Sequence, residues 1–281
     1  MPKVLITGTS SGFGLVTTVE LARRGWDVVA TMRDVEKRKK LERELEAAGV
    51  SAKVRIGQLD VTDPASIDRA VADLDLPHTP LDAVIHNAGV AVGGVFEDLD
   101  EANIRRVMEV NYFGVLALTK RLLPAFRAQK RGRIVILSSE AAFAGMPANS
   151  PYTASKWAIE GWAESLAYEV EPFNIEIILI EPGAYLTDIW QSSPRVLPKT
   201  SAYYPLTRHL EPTIDAHVAK FARDPIEVAK AVANALEAPR PRFRNAVGPT
   251  AKFMHLARGK LPSTVVRKMF SRFFSLNKVR W

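Results

Sequence analysis

The 281-residue sequence contains no cysteine, which excludes disulfides and thiolate metal sites and leaves the redox compartment undetermined. It has no apolar run near the roughly 18 residues needed to cross a bilayer. No secretory leader is expected, because Lys3-Val4-Leu5-Ile6 already reads as a strand feeding a glycine loop, and the cytoplasm is the expected location. Zinc-finger, homeodomain and RNA-binding signatures are missing too, so no nucleic-acid partner is expected despite the net charge of +7. Acidic residues are absent from one whole stretch. Residues 238–281 hold 11 basic and no acidic residues, whereas residues 1–237 hold 27 basic and 31 acidic ones. The body is therefore mildly acidic and the tail strongly basic.

What is present is an alternation of short β-branched runs with longer amphipathic ones. Residues 3–6, 27–31, 54–58, 83–86, 133–137 and 176–181 read as strands. Helical patterns lie at 14–24, 35–48, 64–73, 103–129 and 153–171. Strand, helix and strand at this spacing give right-handed crossovers and a doubly wound parallel sheet, an α/β Rossmann fold. The runs at 4–7, 83–86, 134–137 and 176–181 read as apolar, as strands buried on both faces should be. From 186 to 224 regularity fails among Pro194, Pro198, Pro205 and Pro212, and the stretch reads as an irregular lid-like insertion. Helix resumes at 225–237, and residues 238–281 form a basic, helical C-terminal extension of the single domain.

Thr7-Gly8-Thr9-Ser10-Ser11-Gly12-Phe13-Gly14 follows the first strand directly and opens a helix. Small residues let the backbone turn sharply and approach a pyrophosphate at the helix N-terminus. An acid that grips a ribose 2′-hydroxyl belongs at the end of the second strand, but Met32 stands there and Arg33 follows. A guanidinium there can pair with a 2′-phosphate, and Ser11 can donate to the same group, which favours NADP(H). The competing assignment makes Asp34 the ribose acid and leaves Arg33 in solvent. Asp60-Val61 and Asn87-Ala88-Gly89 end the third and fourth strands, where an adenine and a ribose would lie.

Tyr152 and Lys156, four residues apart, share one helix face. A nearby ammonium favours phenolate and should lower the tyrosine pKa from about 10 toward working pH. The tyrosine can then exchange the proton that accompanies hydride transfer. Ser139 ends the fifth strand and could hydrogen-bond a substrate oxygen. Asn111 lies within a helix, where asparagine is a poor former; it reads as a kink satisfied by its own backbone, as a holder of a catalytic water, or as both.

These residues together resemble the short-chain dehydrogenases/reductases, over residues 3 to about 240. The motifs are Thr7-Gly8-x-x-x-Gly12-x-Gly14, Asp60, Asn87-Ala88-Gly89, Asn111, Ser139, Tyr152-x-x-x-Lys156 and Pro182-Gly183. The resemblance implies that Tyr152 is the acid/base, that Ser139 polarises the carbonyl and that Asn111 anchors a relay water. It implies that Lys156 binds the nicotinamide ribose and lowers the tyrosine pKa. It also implies that Pro182, Gly183 and Thr187 hold the nicotinamide with its pro-S hydride presented. His86 departs from the family pattern and reads as a buried structural histidine. In outline the chain is nearest the 17β-hydroxysteroid and retinol dehydrogenase subgroup. The family pairs its two long helices, here 103–129 and 152–171, in homodimers or homotetramers.

Ala141, Phe143, Met146, Asn149, Tyr185 and the stretch 190–204 are candidate substrate contacts, mostly apolar, so a hydrophobic carbonyl or alcohol is expected. Packing beneath a lid would explain several of them equally. A non-catalytic NADP(H)-binding sensor on the same fold is the alternative function, and a sugar-nucleotide epimerase or dehydratase a second enzymatic one. In the tail, Val265, Val266, Met269, Phe270, Phe273 and Phe274 recur at helical spacing among Arg267, Lys268 and Arg272. Such a helix either packs over the substrate cleft or a neighbouring subunit, or rests on an anionic membrane surface.

Overall fold

The computed structural model describes every residue except 77, 190–192, 259 and 281. Its main sheet has seven strands, all parallel: β1 (Lys3–Thr7), β2 (Asp27–Met32), β3 (Val54–Gln58), β4 (Ala83–His86), β6 (Gly132–Leu137), β7 (Ile175–Pro182) and β9 (Arg244–Val247). Their order is β3-β2-β1-β4-β6-β7-β9. The winding reverses between β1 and β4, so their carboxyl ends leave the crevice in which ligands bind in such sheets. A separate parallel pair joins β5 (Gly93–Gly94) to β8 (Arg195–Val196) and ties the insertion to the loop after β4.

Helices cover both faces. On one side, α1 (Gly12–Arg23) and α8 (Ile226–Glu237) bury Leu15, Val19, Val228 and Val232 against the sheet. On the other, α3 (Pro64–Ala72), α5 (Gly114–Gln129) and α6 (Ser150–Val170) bury Ile67, Leu118, Phe126, Ile159 and Leu166. Polar caps set where helices begin. Asp63 accepts from Ala65 N ahead of α3, with Pro64 pre-shaped for the first turn. α2 (Lys39–Ala47) keeps Leu41 and Leu45 inward.

Three expectations change. The helix expected at 103–129 is broken: α4 (Glu101–Met108) and α5 flank a π-helical turn, Glu109–Phe113. Gly114 follows that turn, pressed so closely on Val61 that a Cβ there would meet its carbonyl oxygen at 2.8 Å. The stretch 186–224 is not irregular throughout, because Tyr204–Phe221 forms an 18-residue helix, α7. Pro205 suits its first turn, and Pro212 is accommodated within it. The tail is not purely helical either. It contributes β9, the edge strand of the sheet, before α9 (Pro249–Arg258) and α10 (Ser263–Phe273). α10 is docked at its end, where His209 Nε2 lies 2.8 Å from Phe274 O.

Candidate active site

A single cavity of about 1160 Å³ runs from the carboxyl ends of β1 and β2 past those of β4 and β6 to α7 and α10. Gly8, Ser10, Ser11, Gly12, Phe13, Arg33, Asp60, Val61, Asn87, Ala88, Gly89, Pro182, Gly183 and Thr187 all line it. So do Ser139, Tyr152 and Lys156. Gly14 does not, and its role is packing: a Cβ there would meet Gly8 O at 2.3 Å and Asn87 Nδ2 at 2.4 Å.

The glycine loop and the loop after β4 are built as one unit. Gly8 has φ +71° and stands so near Ala88 that a Cβ would meet its Cα at 2.8 Å. Asn87 Nδ2 donates to Thr7 O and Gly8 O, each at 2.8 Å. Thr7 Oγ1 accepts from Asn87 N and Ala88 N, each at 3.0 Å. Asn87 thus holds the loop through its side-chain amide. The first N–H groups of α1 lack intrahelical acceptors, and Ser11 precedes them without capping them through its side chain. Across the loop, Thr187 lies within van der Waals reach of a Cβ at Gly12. This cradle of small residues and open N–H groups fits a dinucleotide pyrophosphate.

At the end of β2, Arg33 is exposed along the cavity, and Lys37, which sequence reasoning missed, stands in the same wall. Asp34 lines the same wall and is exposed, with its Oδ1 accepting from Glu36 N at 3.1 Å as the cap of the next turn. Asp60 likewise spends Oδ1 on Thr62 N and Oγ1.

The chemical groups converge from β6 and α6. Ser139 caps the short turn after β6, accepting from Ala141 N at 3.1 Å, and its hydroxyl hydrogen-bonds that of Tyr152. Lys156 Nζ donates to Leu137 O at 2.7 Å and sits 5.5 Å from the centre of the Tyr152 ring. The expectation of a lowered tyrosine pKa is not met in this state. Burial pushes the Tyr152 phenol up to about 12, Ser139 opposing and the Glu140 carboxylate adding to the rise. Burial also pulls the Lys156 ammonium down to about 8, against Glu160. Desolvation outweighs the Ser139 hydrogen bond and so favours the neutral phenol, a form that can donate a proton.

Glu140, also missed, follows Ser139 into the cavity wall, where burial raises its pKa against a hydrogen bond to Thr250. Asn111 is buried in the π-helical turn and is not satisfied by its own backbone. Its Oδ1 accepts from Val90 N at 2.9 Å, and its Nδ2 donates to Val90 O at 2.9 Å and Ser155 Oγ at 3.0 Å. Its amide therefore fastens the loop after β4 to α6, and the widened turn loosens the backbone around it. His86 is buried against Thr119 Oγ1, and burial lowers its pKa to about 3, so it is a neutral structural residue.

Of the candidate substrate contacts, Met146 and Asn149 line the cavity, as do Ser193, Arg195 and Leu197 within 190–204. Trp190 lies outside the described residues. Ala141 and Phe143 are core residues, the latter packed edge-on against His255. Tyr185 lines the cofactor end instead, its ring against Phe13 and its hydroxyl donating to Glu227. Leu210, Ile214, Val218 and Phe221 of α7 complete the apolar wall with Phe253, Met269, Phe270 and Phe273. Their i, i+4 spacing was the signal for α7, masked by Pro205 and Pro212. Among the described residues no group of three or more His, Cys, Asp or Glu could hold a metal ion.

The family model for short chain dehydrogenase matches residues 2–196. Human retinol dehydrogenase 8 is 34% identical over 260 residues, spanning 86% of this chain and 79% of its own. Human 17-beta-hydroxysteroid dehydrogenase type 1 is 34% identical over 270 residues, spanning 92% and 80%. Among solved structures, a short-chain dehydrogenase from Streptomyces avermitilis superposes with a TM-score of 0.79 at 29% identity, covering 99% of this chain and 98% of that one. A metagenomic short-chain oxidoreductase in complex with NADP superposes with 0.68 at 27% identity, covering 86% and 95%. The chain belongs to the short chain dehydrogenase family. It is an oxidoreductase acting on alcohol and carbonyl groups.

Proposed function

We propose that the protein is an NADP(H)-dependent reductase or dehydrogenase that interconverts a hydrophobic ketone or aldehyde and its alcohol. The observation that carries this reading is the meeting of Ser139, Tyr152 and Lys156 midway along one cavity, between a glycine cradle and an apolar chamber. A bound nicotinamide supplies or accepts the hydride. In carbonyl reduction Ser139 donates to the substrate oxygen and Tyr152 gives it the proton, reversed in oxidation. Lys156 anchors the sugar beside the nicotinamide and holds positive charge near the phenol. Pro182, Gly183 and Thr187, which line the cavity, would hold the nicotinamide, and Asn111 keeps the wall of the site in register.

NADP(H) is favoured over NAD(H) because two cations, Arg33 and Lys37, line the wall after β2 against one carboxylate, Asp34, whose Oδ1 caps the next turn. The NADP complex of the metagenomic relative fits that choice. The substrate chamber is apolar, which suits a steroid-, retinoid- or aryl-ketone-like compound, in keeping with the names of the two human relatives. NADPH oxidation with a panel of steroid, retinoid, aryl and short aliphatic carbonyls tests the reading. NADPH binding without turnover on any of them would instead support the sensor.

Two partner proposals accompany it. Phe113, Trp157 and Tyr168 are exposed on or beside the α5 and α6 helices, which suits pairing of these helices in a homodimer or homotetramer. No helix among the described residues is long and apolar enough to cross a membrane. Phe253, Met269 and Phe273, however, both line the cavity and remain 53%, 38% and 46% exposed, so they form its rim. Arg267, Lys268 and Arg272 are exposed and interleaved with Met269 and Phe273 on α10, which suits a rim that rests on an anionic lipid surface from the cytoplasmic side. Cosedimentation with phosphatidylserine vesicles at low salt, lost at high salt and with neutral vesicles, is the expected result; no binding at low salt leaves α10 as a lid alone.

A further inference from the structure

One charged cluster lies behind the site and takes no part in the chemistry above. Glu160 and Glu181 are 1% and 0% exposed. Glu160 stands one helical turn after Lys156 on α6, and Glu181 immediately precedes Pro182-Gly183 at the end of β7. Arg244, the first residue of β9, reaches both. Its Nη1 donates to Glu160 Oε2 and, at 3.0 Å, to Glu181 Oε1, and its Nη2 donates to Glu164 Oε2 at 3.1 Å. Ser138, the residue before Ser139, donates to the other oxygen of Glu160 at 2.6 Å. Arg244 lies outside the residues 2–196 that the family model matches.

We propose that Arg244 is a positioning residue for hydride transfer, clamping from the C-terminal strand the ends of β6, α6 and β7 that carry Ser139, Lys156 and Gly183. The inference rests on the functional reading above. Two buried carboxylates on adjacent elements repel each other, and a planar guanidinium holds both in one fixed fork, which the flexible point charge of an ammonium does not supply. Burial acts to discharge Arg244, but its bonds to Glu160 and Glu181 outweigh that pull and keep it charged. The groups facing this cluster and Lys156 are Tyr152, Glu160 and Glu164 on α6, Glu140 after β6, Glu181 on β7, and His255 on α9, whose Nδ1 is 3.5 Å from Glu181 Oε2. Glu160 raises the affinity of Lys156 for its proton, and Arg244 offsets the charge of Glu160.

Two substitutions should therefore move Lys156 in opposite directions, which structural damage alone would not do. The full chain is labelled with ¹³C at the lysine ε-carbons, and the Lys156 signal is identified by its loss in Lys156→Arg. Its titration midpoint should fall by about one pH unit in Glu160→Gln and rise by a similar amount in Arg244→Gln. Arg244→Lys should keep the wild-type midpoint but lower kcat by about tenfold, with KM for NADPH nearly unchanged, because an ammonium keeps the charge but not the rigid fork that fixes the two carboxylates relative to each other. Midpoints that stay fixed or move together in the two Gln variants overturn the proposal, as does wild-type kcat in Arg244→Lys. If Arg244→Gln does not fold, Glu160→Gln and Arg244→Lys decide by the same criteria. A wild-type protein that turns over no carbonyl defeats the functional reading but leaves the titrations readable.

Discussion

The cofactor end of the cavity is walled mainly by backbone and small side chains, and the substrate end by large side chains brought in from far along the chain. At the first, Gly8 leaves no room for a Cβ beside Ala88, and the loop is stitched by Asn87 and Thr7. At the second, Leu210, Ile214 and Val218 of α7 face Phe253, Met269 and Phe270 of the tail. A backbone wall needs particular residues at particular spacings, because only glycine tolerates the close approach and the positive φ. An apolar wall needs only bulk and hydrophobicity, which many sequences satisfy. The first is therefore a fixed device, and the second is the part free to vary with the substrate.

Substitutions can break or sharpen that division. The largest effect is expected where the two ends meet. Tyr152→Phe should lower kcat by about 10²–10⁴-fold while NADPH affinity, measured by fluorescence titration, stays near wild type. A variant keeping more than about a tenth of wild-type kcat would remove Tyr152 from the proton transfer.

At the cofactor end, Arg33→Ala should weaken NADPH by about 1.5–3 kcal/mol, the value of a charge-assisted contact, and leave NADH nearly untouched. Equal loss for both cofactors would mean that Arg33 does not read a 2′-phosphate.

The pH dependence belongs to both ends. Burial puts the Lys156 ammonium at about 8, so its charge is present below that pH and lost above it. For reduction, kcat/KM for NADPH, which reports the free enzyme, should decline through pH 8 by about tenfold per unit at its steepest. A flat profile from pH 6 to 10 would contradict a role for the charged lysine.

The smallest effect belongs to the substrate wall. Phe270→Ala should raise KM for an apolar ketone by about fivefold, since for a half-buried ring the contact is worth about 1 kcal/mol, the low end for a pocket, with little change for NADPH. An equal change for both ligands would show that the two ends are not separable.

Six strands and the site motifs were legible because each is local: short β-branched runs for β1 to β4, β6 and β7, the glycine loop, and the Tyr152–Lys156 pair on one helical face. α7 was hidden because prolines at 205 and 212 counted as breakers, yet one occupies the first turn and the other is absorbed within the helix. β9 was hidden because Arg244–Val247 is short and only half-buried, and becomes a strand by pairing with β7. Asn111 was read as a lone helix irregularity, but its partners are Val90, 21 residues away, and Ser155, 44 residues away. Ala141 and Phe143 are adjacent to the site in sequence, yet the chain turns them into the core.

The sequence by itself determined the parallel sheet, the cradle for a phosphate and the identities of the serine, tyrosine and lysine, because periodicity and glycine chemistry act over a few residues. The tertiary structure decided the proton state of those groups and the walls around them. Burial depends on the whole fold, and it is burial that carries Tyr152 upward and Lys156 downward. It also takes the folded chain to bring Arg244 to Glu160, 84 residues away, and to turn a basic tail into one edge of the sheet and one side of the cavity.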